Sequence, residues 1–178
     1  MSADSVLALG DAIGAQGAGW LLMGGWGVDA LLGRQTREHK DLDVLVQRGD
    51  LRAVLAVLTA EGFRRAYGWE ENRPLDDDGD CAGADSAFVV EDDAGRAVDI
   101  HVFDYAEGRI RPLWAAAESL AAAETFSAAD LDGTGTIGGR AVRCLSAHAQ
   151  LRLHAGYDLP PAHERDAALL WKVLDRDG

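Results

Sequence analysis

LLMGGWGVDALLGRQTREHKDLDVLV, from Leu21 to Val46, is the stretch whose reading decides the fold. A short apolar run, Trp20 to Met23, reads as a buried strand. Gly24-Gly25 reads as a tight turn, and Trp26 to Leu32 as a helix that Gly33 ends. A basic segment with Arg37, His39 and Lys40 follows, and Leu42 to Val46 is a second buried strand opened by Asp41-Leu42-Asp43. Residues two apart on a strand share a face, so Asp41 and Asp43 project together. Two adjacent carboxylates repel unless a cation lies between them, and Mg²⁺ takes one or two carboxylates together with phosphate oxygens. Glycines allow close backbone approach to an anion, and the helix N-terminus behind them offers free N–H groups. The segment therefore predicts a phosphate-and-metal site.

A third carboxylate has the same setting. In Ala97 to Phe103 (AVDIHVF), Val98, Ile100 and Val102 form one face, and Asp99, His101 and Phe103 the other. An acid within a core strand needs a partner, because burying an unpaired charge is costly. A metal shared with Asp41 and Asp43 would be one.

The rest of the chain frames these strands. Val6, Leu9, Ala12 and Ile13 are spaced for a first helix, and Leu51, Val54, Leu55 and Leu58 for another closing at Gly62. Phe63 to Tyr67 reads as a strand and Asp76 to Gly83 as a loop. Ala87 to Glu91 and Ala97 to Phe103 read as a hairpin across Asp92-Asp93-Ala94-Gly95, and Ile137 and Ala141 to Leu145 as a smaller hairpin across Gly138-Gly139. Helical spacing returns over Ala147 to His154 and, after Pro160-Pro161, over Glu164 to Leu174. The expected class is α+β, a mixed sheet flanked by helices, with a domain at 1–145 and a short helical C-terminal segment at 146–178.

Charge narrows the function. The 178 residues hold 30 Asp and Glu against 17 Lys and Arg, a net charge of −13. So acidic a chain is not expected to clamp nucleic acid or an anionic membrane surface, and a cationic partner is favoured. The window Glu70 to Asp93 carries −9 of that −13, with Arg73 its single base. Cys81 and Cys144 sit in no metal-binding spacing. The segment MSADSVLALGDAIGAQG has neither a basic start nor a sustained apolar core, so a cytoplasmic protein is expected. Asp130 to Ile137 (DLDGTGTI) imitates the start of a calcium loop, but Ala141 occupies the twelfth position, so a turn is expected instead.

Gly24-Gly25 followed by Asp41-Leu42-Asp43 resembles the signature of the DNA-polymerase-β-like nucleotidyltransferase superfamily. The string GGWGVDALLGRQTREHKDLDV is similar to the antibiotic nucleotidyltransferases, the lincosamide and aminoglycoside 2''-enzymes. AFVVEDDAGRAVDIHVF, LDGTGTIGGRAVRCLS and LRLHAGYDL resemble later segments of that family. The resemblance implies a nucleotidyltransferase fold and transfer of a nucleoside monophosphate, expected to be AMP from ATP, to a hydroxyl of a small cationic acceptor. It implies that Asp41, Asp43 and Asp99 hold two Mg²⁺ ions, with Asp99 also acting as base. It assigns Gly24, Gly25, Trp26, Arg37, His39, Lys40, His154, Tyr157 and Asp166 to the nucleotide, and it allows a homodimer. Asp29, Glu70, Glu71, Asp85, Asp92 and His101 are the candidates for the acceptor; Asp29 could equally cap or pair internally.

One segment departs from the family pattern. After His154, Gly156 and Tyr157, relatives carry a lysine-rich run ending in Asp; here the run is DLPPAHERDAALL, in which Asp166 matches and no lysine does. His163 and Arg165 are the two residues that could compensate. The alternative to an enzyme is a nucleotidyltransferase-fold protein that binds without turnover, such as an antitoxin-like module.

Overall fold

The computed structural model describes residues 1–75, 84–106, 109–114, 126–153 and 160–177. Helix α1 (Ala3–Gly14) starts at Ser2, whose hydroxyl accepts the Ser5 N–H at 3.2 Å, and buries Val6, Leu9 and Ile13. Strand β1 (Leu21–Leu22) leads into α2 (Gly24–Leu32), which Gly33 closes in the left-handed conformation. Strand β2 (Asp41–Gln47) passes through one 3₁₀ turn into α3 (Leu51–Ala60). Then come β3 (Arg64–Gly68), β4 (Ala87–Glu91), β5 (Ala97–Ala106), β6 (Arg109–Pro112), α4 (Ala128–Leu131), β7 (Gly133–Ile137), β8 (Arg140–Cys144), α5 (Ala147–Leu153) and α6 (Pro161–Asp177).

The strands form one mixed sheet in the order β3-β4-β5-β2-β1-β8-β7, with β6 pairing the far end of β5. The expected α+β sheet flanked by helices is what the chain forms. Strands β2 and β5 run parallel at its centre, with Asp43 opposite Asp99 and Val44 opposite Ile100. Alternation then sorts the side chains. Leu42, Val44, Val46, Val98, Ile100 and Val102 enter a core beneath α1 and α3 with Val54, Leu58 and Phe63. Leu21, Leu45, Phe103, Ile110, Leu145 and Ala149 form a second cluster on the other face. Helices α2, α5 and α6 meet around Val28, Ala147 and Leu170.

Several boundaries differ from the sequence expectation for identifiable reasons. Gly24 is the first residue of α2 rather than part of a free turn, and Met23 caps the helix. Pro161 begins α6 instead of breaking it, since the first helical position needs no N–H donor. Strand β7 starts at Gly133, earlier than the hairpin at Ile137 suggests. Asp130, in the calcium-like string, is committed within the fold: its Oδ2 accepts the Ser127 N–H at 2.6 Å and the Arg152 guanidinium at 2.7 Å. The acidic loop 76–83, with Cys81, lies outside the described residues; Cys144 is a buried free thiol. No helix among the described residues is long and apolar enough to cross a membrane.

Candidate active site

The ends of β2 and β5, the start of α2 and the loop between α2 and β2 enclose a cleft of about 800 Å³. Its lining includes Gly24, Gly25, Arg37, Lys40, Asp41, Asp43, Trp69, Glu71, Asp99, His101 and His163. The parallel register makes the carboxylate group: Asp43 lies directly opposite Asp99, and Asp41 precedes Asp43 by two residues on the same face.

The electrostatics follow from that juxtaposition. Burial pushes the Asp43 carboxyl up to about 8, and the neighbouring charges of Asp41 and Asp99 add to the effect. Burial also raises Asp99, opposed by the charge of His101 and a hydrogen bond from Trp69. His101 is held below the ordinary imidazole range by burial, against the pull of Asp99 and Glu71. Among the described residues no three His, Cys, Asp or Glu side chains close into a complete metal cage. An open set of mutually repelling carboxylates beside a helix N-terminus nevertheless fits Mg²⁺, whose remaining ligands are water and phosphate oxygens.

The two glycines are required by close approach. Gly24 has φ +56°, and a Cβ there would run into the Asp43 carboxylate, 2.7 Å from its Cγ. A Cβ on Gly25 would meet the His39 ring and lie 2.7 Å from Arg37 Nη2. The backbone at this turn is thus pressed against the carboxylates on one side and the basic loop on the other.

That loop is anchored at two points. Asp29 Oδ2 lies 2.5 Å from His39 Nε2, and Asp29 Oδ1 accepts the Thr36 N–H at 3.1 Å and its hydroxyl at 2.6 Å. Burial would raise Asp29, but the bonds from His39 and Thr36 outweigh it and hold the carboxyl below its ordinary range. Arg37 Nη2 reaches Asp166 Oδ2 on α6 at 2.9 Å, and this carboxylate is almost wholly buried.

The expected residues therefore divide. Asp41, Asp43, Asp99, Gly24, Gly25, Arg37, Lys40, Glu71 and His101 line one cleft. Asp29, His39 and Trp26 do not: all three are buried, with the Trp26 and His39 ring centroids 4.6 Å apart, and they support the loop from within. Asp166 supports Arg37 in the same way. Asp85 is paired with Arg65 and Asn72, and Asp92 with Arg96 in the β4–β5 turn, so neither faces the cleft; Glu70 is exposed outside it. Of the two residues that could replace the family lysine, His163 lines the cleft and Arg165 is exposed elsewhere. His154 and Tyr157 lie outside the described residues.

Sequence reasoning missed Trp69 and Glu38, both of which line the cleft. The Trp69 indole N–H donates to Asp99 Oδ1 at 2.9 Å. The position of Trp69 just past a short, fully exposed strand gave no periodic signal for it.

A family model described as aminoglycoside-2''-adenylyltransferase matches residues 5–170. A lincosamide resistance protein of Staphylococcus haemolyticus is 38% identical over 52 residues, covering 29% of this chain; the match spans about a third, 32%, of that relative's length. Among solved structures, the lincosamide antibiotic adenylyltransferase LnuA with lincomycin bound superposes with a TM-score of 0.73 at 22% identity, covering 97% of this chain and 98% of that one. ANT(2'')-Ia in complex with adenylyl-2''-tobramycin gives a TM-score of 0.70 at 21% identity, covering 98% and 90%. At these identities the structural likeness is one of fold.

Proposed function

The chain belongs to the aminoglycoside-2''-adenylyltransferase family, and on that premise we propose that it transfers a nucleoside monophosphate, AMP from ATP, to a hydroxyl of a small cationic acceptor of the aminoglycoside or lincosamide kind. The observation that carries this reading is the parallel pairing that sets Asp43 opposite Asp99, with Asp41 beside them, in a cleft lined also by Arg37 and Lys40.

The chain's own groups divide the work. Asp99 takes the proton as the acceptor oxygen forms its bond to the α-phosphorus. The bond from that phosphorus to the bridging oxygen breaks, and pyrophosphate leaves. Arg37 and Lys40 offset the charge on the triphosphate and on the leaving group. The Gly24-Gly25 backbone and the start of α2 receive phosphate oxygens. Asp41, Asp43 and Asp99 would hold two Mg²⁺ ions, which would supply Lewis-acid stabilisation of the charge on the reacting phosphates. Glu71, beside His101 in the cleft, supplies a carboxylate for an acceptor ammonium group. Residues 1–145 carry the carboxylates, and the segment 146–178 contributes His163 to the cleft and Asp166 to Arg37.

The test is incubation with Mg²⁺, each of the four NTPs and a panel of aminoglycosides and lincosamides. Pyrophosphate release that depends on one acceptor class and is fastest with ATP is expected. NTP binding with no release under any acceptor would replace the proposal with a non-catalytic binding module.

A further inference from the structure

Trp69 reaches the carboxylates because of a defect in strand β3. The β3–β4 register shifts between Arg65, opposite Val90, and Tyr67, opposite Val89, leaving Ala66 as an extra residue. Such a bulge reverses which residues face which side of the sheet. Tyr67 then lies in one row with Val89, Asp99 and Asp43, on the carboxylate face. Two residues on, the Trp69 N–H donates to the Ala87 carbonyl at 3.2 Å, and Ala87 pairs with His101, so Trp69 stands one row along the same face. Were Ala66 instead paired with Val89 in regular register, Tyr67 and Trp69 would fall on the opposite face of the sheet.

The delivered side chain does two things. Its indole N–H meets Asp99 Oδ1 at 2.9 Å. His101 Nδ1 is 3.4 Å from the same oxygen but is not aligned to hydrogen-bond it, so the bond that fixes the carboxylate rotamer comes from the indole. The ring itself lines the cleft, is 39% exposed, and is braced edge-on by Tyr67 at 5.3 Å.

We propose that Trp69 is a positioning residue for Asp99: the indole N–H pins Oδ1 and turns Oδ2 toward the acceptor hydroxyl, and the ring forms the wall against which the acceptor lies. The inference rests on the transfer reading above, since it concerns the group that receives the acceptor's proton. A carboxylate free to rotate spends most of its time out of line with the attacking oxygen, and misplacement of a catalytic group lowers the rate of the chemical step far more than it lowers binding.

Trp69→Phe isolates the hydrogen bond, because phenyl keeps an aromatic wall and has no donor. The expected result is a fall of about tenfold in kcat with the acceptor KM within about threefold of wild type. Trp69→Ala, which removes the wall too, should raise the acceptor KM in addition. A Trp69→Phe enzyme within about twofold of wild type in kcat, or one whose loss lies wholly in KM, would overturn the proposal. An NMR measurement tests the contact without turnover: the indole ¹H–¹⁵N signal that Trp69→Phe deletes should move upfield in Asp99→Ala, which removes the acceptor of the bond. A signal that stays in place overturns the proposal even if the enzyme is active. Absence of acceptor-dependent pyrophosphate release in the wild type strikes the transfer reading instead, and the indole signal then decides this inference alone.

Discussion

Arg37 and Asp166 meet at 2.9 Å across 129 positions of sequence, joining the basic loop to the last helix. Both Asp166 oxygens are shielded from water, so the pair fixes where the guanidinium begins its reach into the cleft. Asp166→Ala leaves Arg37 without its partner and removes a charge-assisted bond. It should cost about 2 kcal/mol of stability and raise the NTP KM severalfold with little change in acceptor KM. Thermal melts and initial-rate kinetics measure both. Arg37→Ala combined with Asp166→Ala should cost less stability than the sum of the two, because the second change removes an already orphaned group.

Asp43 should show opposite signs in stability and activity. Its carboxyl is raised to about 8, so at neutral pH the folded protein works against holding Asp43 ionised. Asp43→Asn relieves that repulsion and should leave metal-free stability unchanged or increase it by about 1 kcal/mol. The same substitution should lower pyrophosphate release by about a thousandfold or more. Activity within a few-fold of wild type would remove Asp43 from the mechanism.

Magnesium should act on stability through the same repulsion. Titrating Mg²⁺ into the wild type should raise the melting temperature, and the rise should vanish in Asp43→Asn and weaken in Asp99→Asn. An equal rise in all three proteins would place the ion elsewhere.

The buried Asp29–His39 pair predicts an acid limb of stability. The Asp29 carboxyl is lowered from its unfolded value of 3.8, so its contribution is fully present above that pH and is lost as pH falls through the folded value. Wild type should therefore lose stability below about pH 4 more steeply than Asp29→Asn, while being the more stable of the two at pH 7. Urea midpoints at a series of pH values between 2.5 and 7 measure the difference.

Gly24→Ala should be more damaging than Gly25→Ala in stability. Gly24 carries a positive φ as well as a contact with the Asp43 side chain, whereas Gly25 has no positive φ and meets the side chains of His39 and Arg37. A cost of about 2 kcal/mol or more is expected for the first, with transfer activity lost in both. Chemical denaturation paired with the pyrophosphate assay separates the two effects.

How much of this was legible in the sequence depended on whether local spacing carried the information. In DLDVLV and AVDIHVF, strand alternation alone puts Asp41 with Asp43 and separates Asp99 from Val98 and Ile100. The register that brings Asp43 opposite Asp99 is a tertiary fact, and no spacing within either strand encodes it. Sequence left Asp29 open between the acceptor and an internal pair and gave His39 to the nucleotide, because it shows residue type and not burial; in the fold the two satisfy each other. Trp69 was hidden for a different reason: the extra Ala66 breaks the very alternation by which strand faces are read. The acidic window split in the same manner, with Glu71 reaching the cleft while Asp85 and Asp92 are held by nearby Arg and Asn side chains.

The central β2–β5 pairing also dictates when the site can come into being. A chain still being synthesised, with residues through Gly95 released, already contains Asp41, Asp43 and the basic loop, and β1 to pair one edge of β2, but lacks β5 for the other. A parallel partner more than fifty positions downstream has to be made, loop back and dock before Asp43 acquires its neighbour. The proposed carboxylate set is therefore incomplete until β5 is made, and a nascent chain stalled before Ala97 would bear two of its three carboxylates on a strand with one uncovered edge, a form exposed to mispairing.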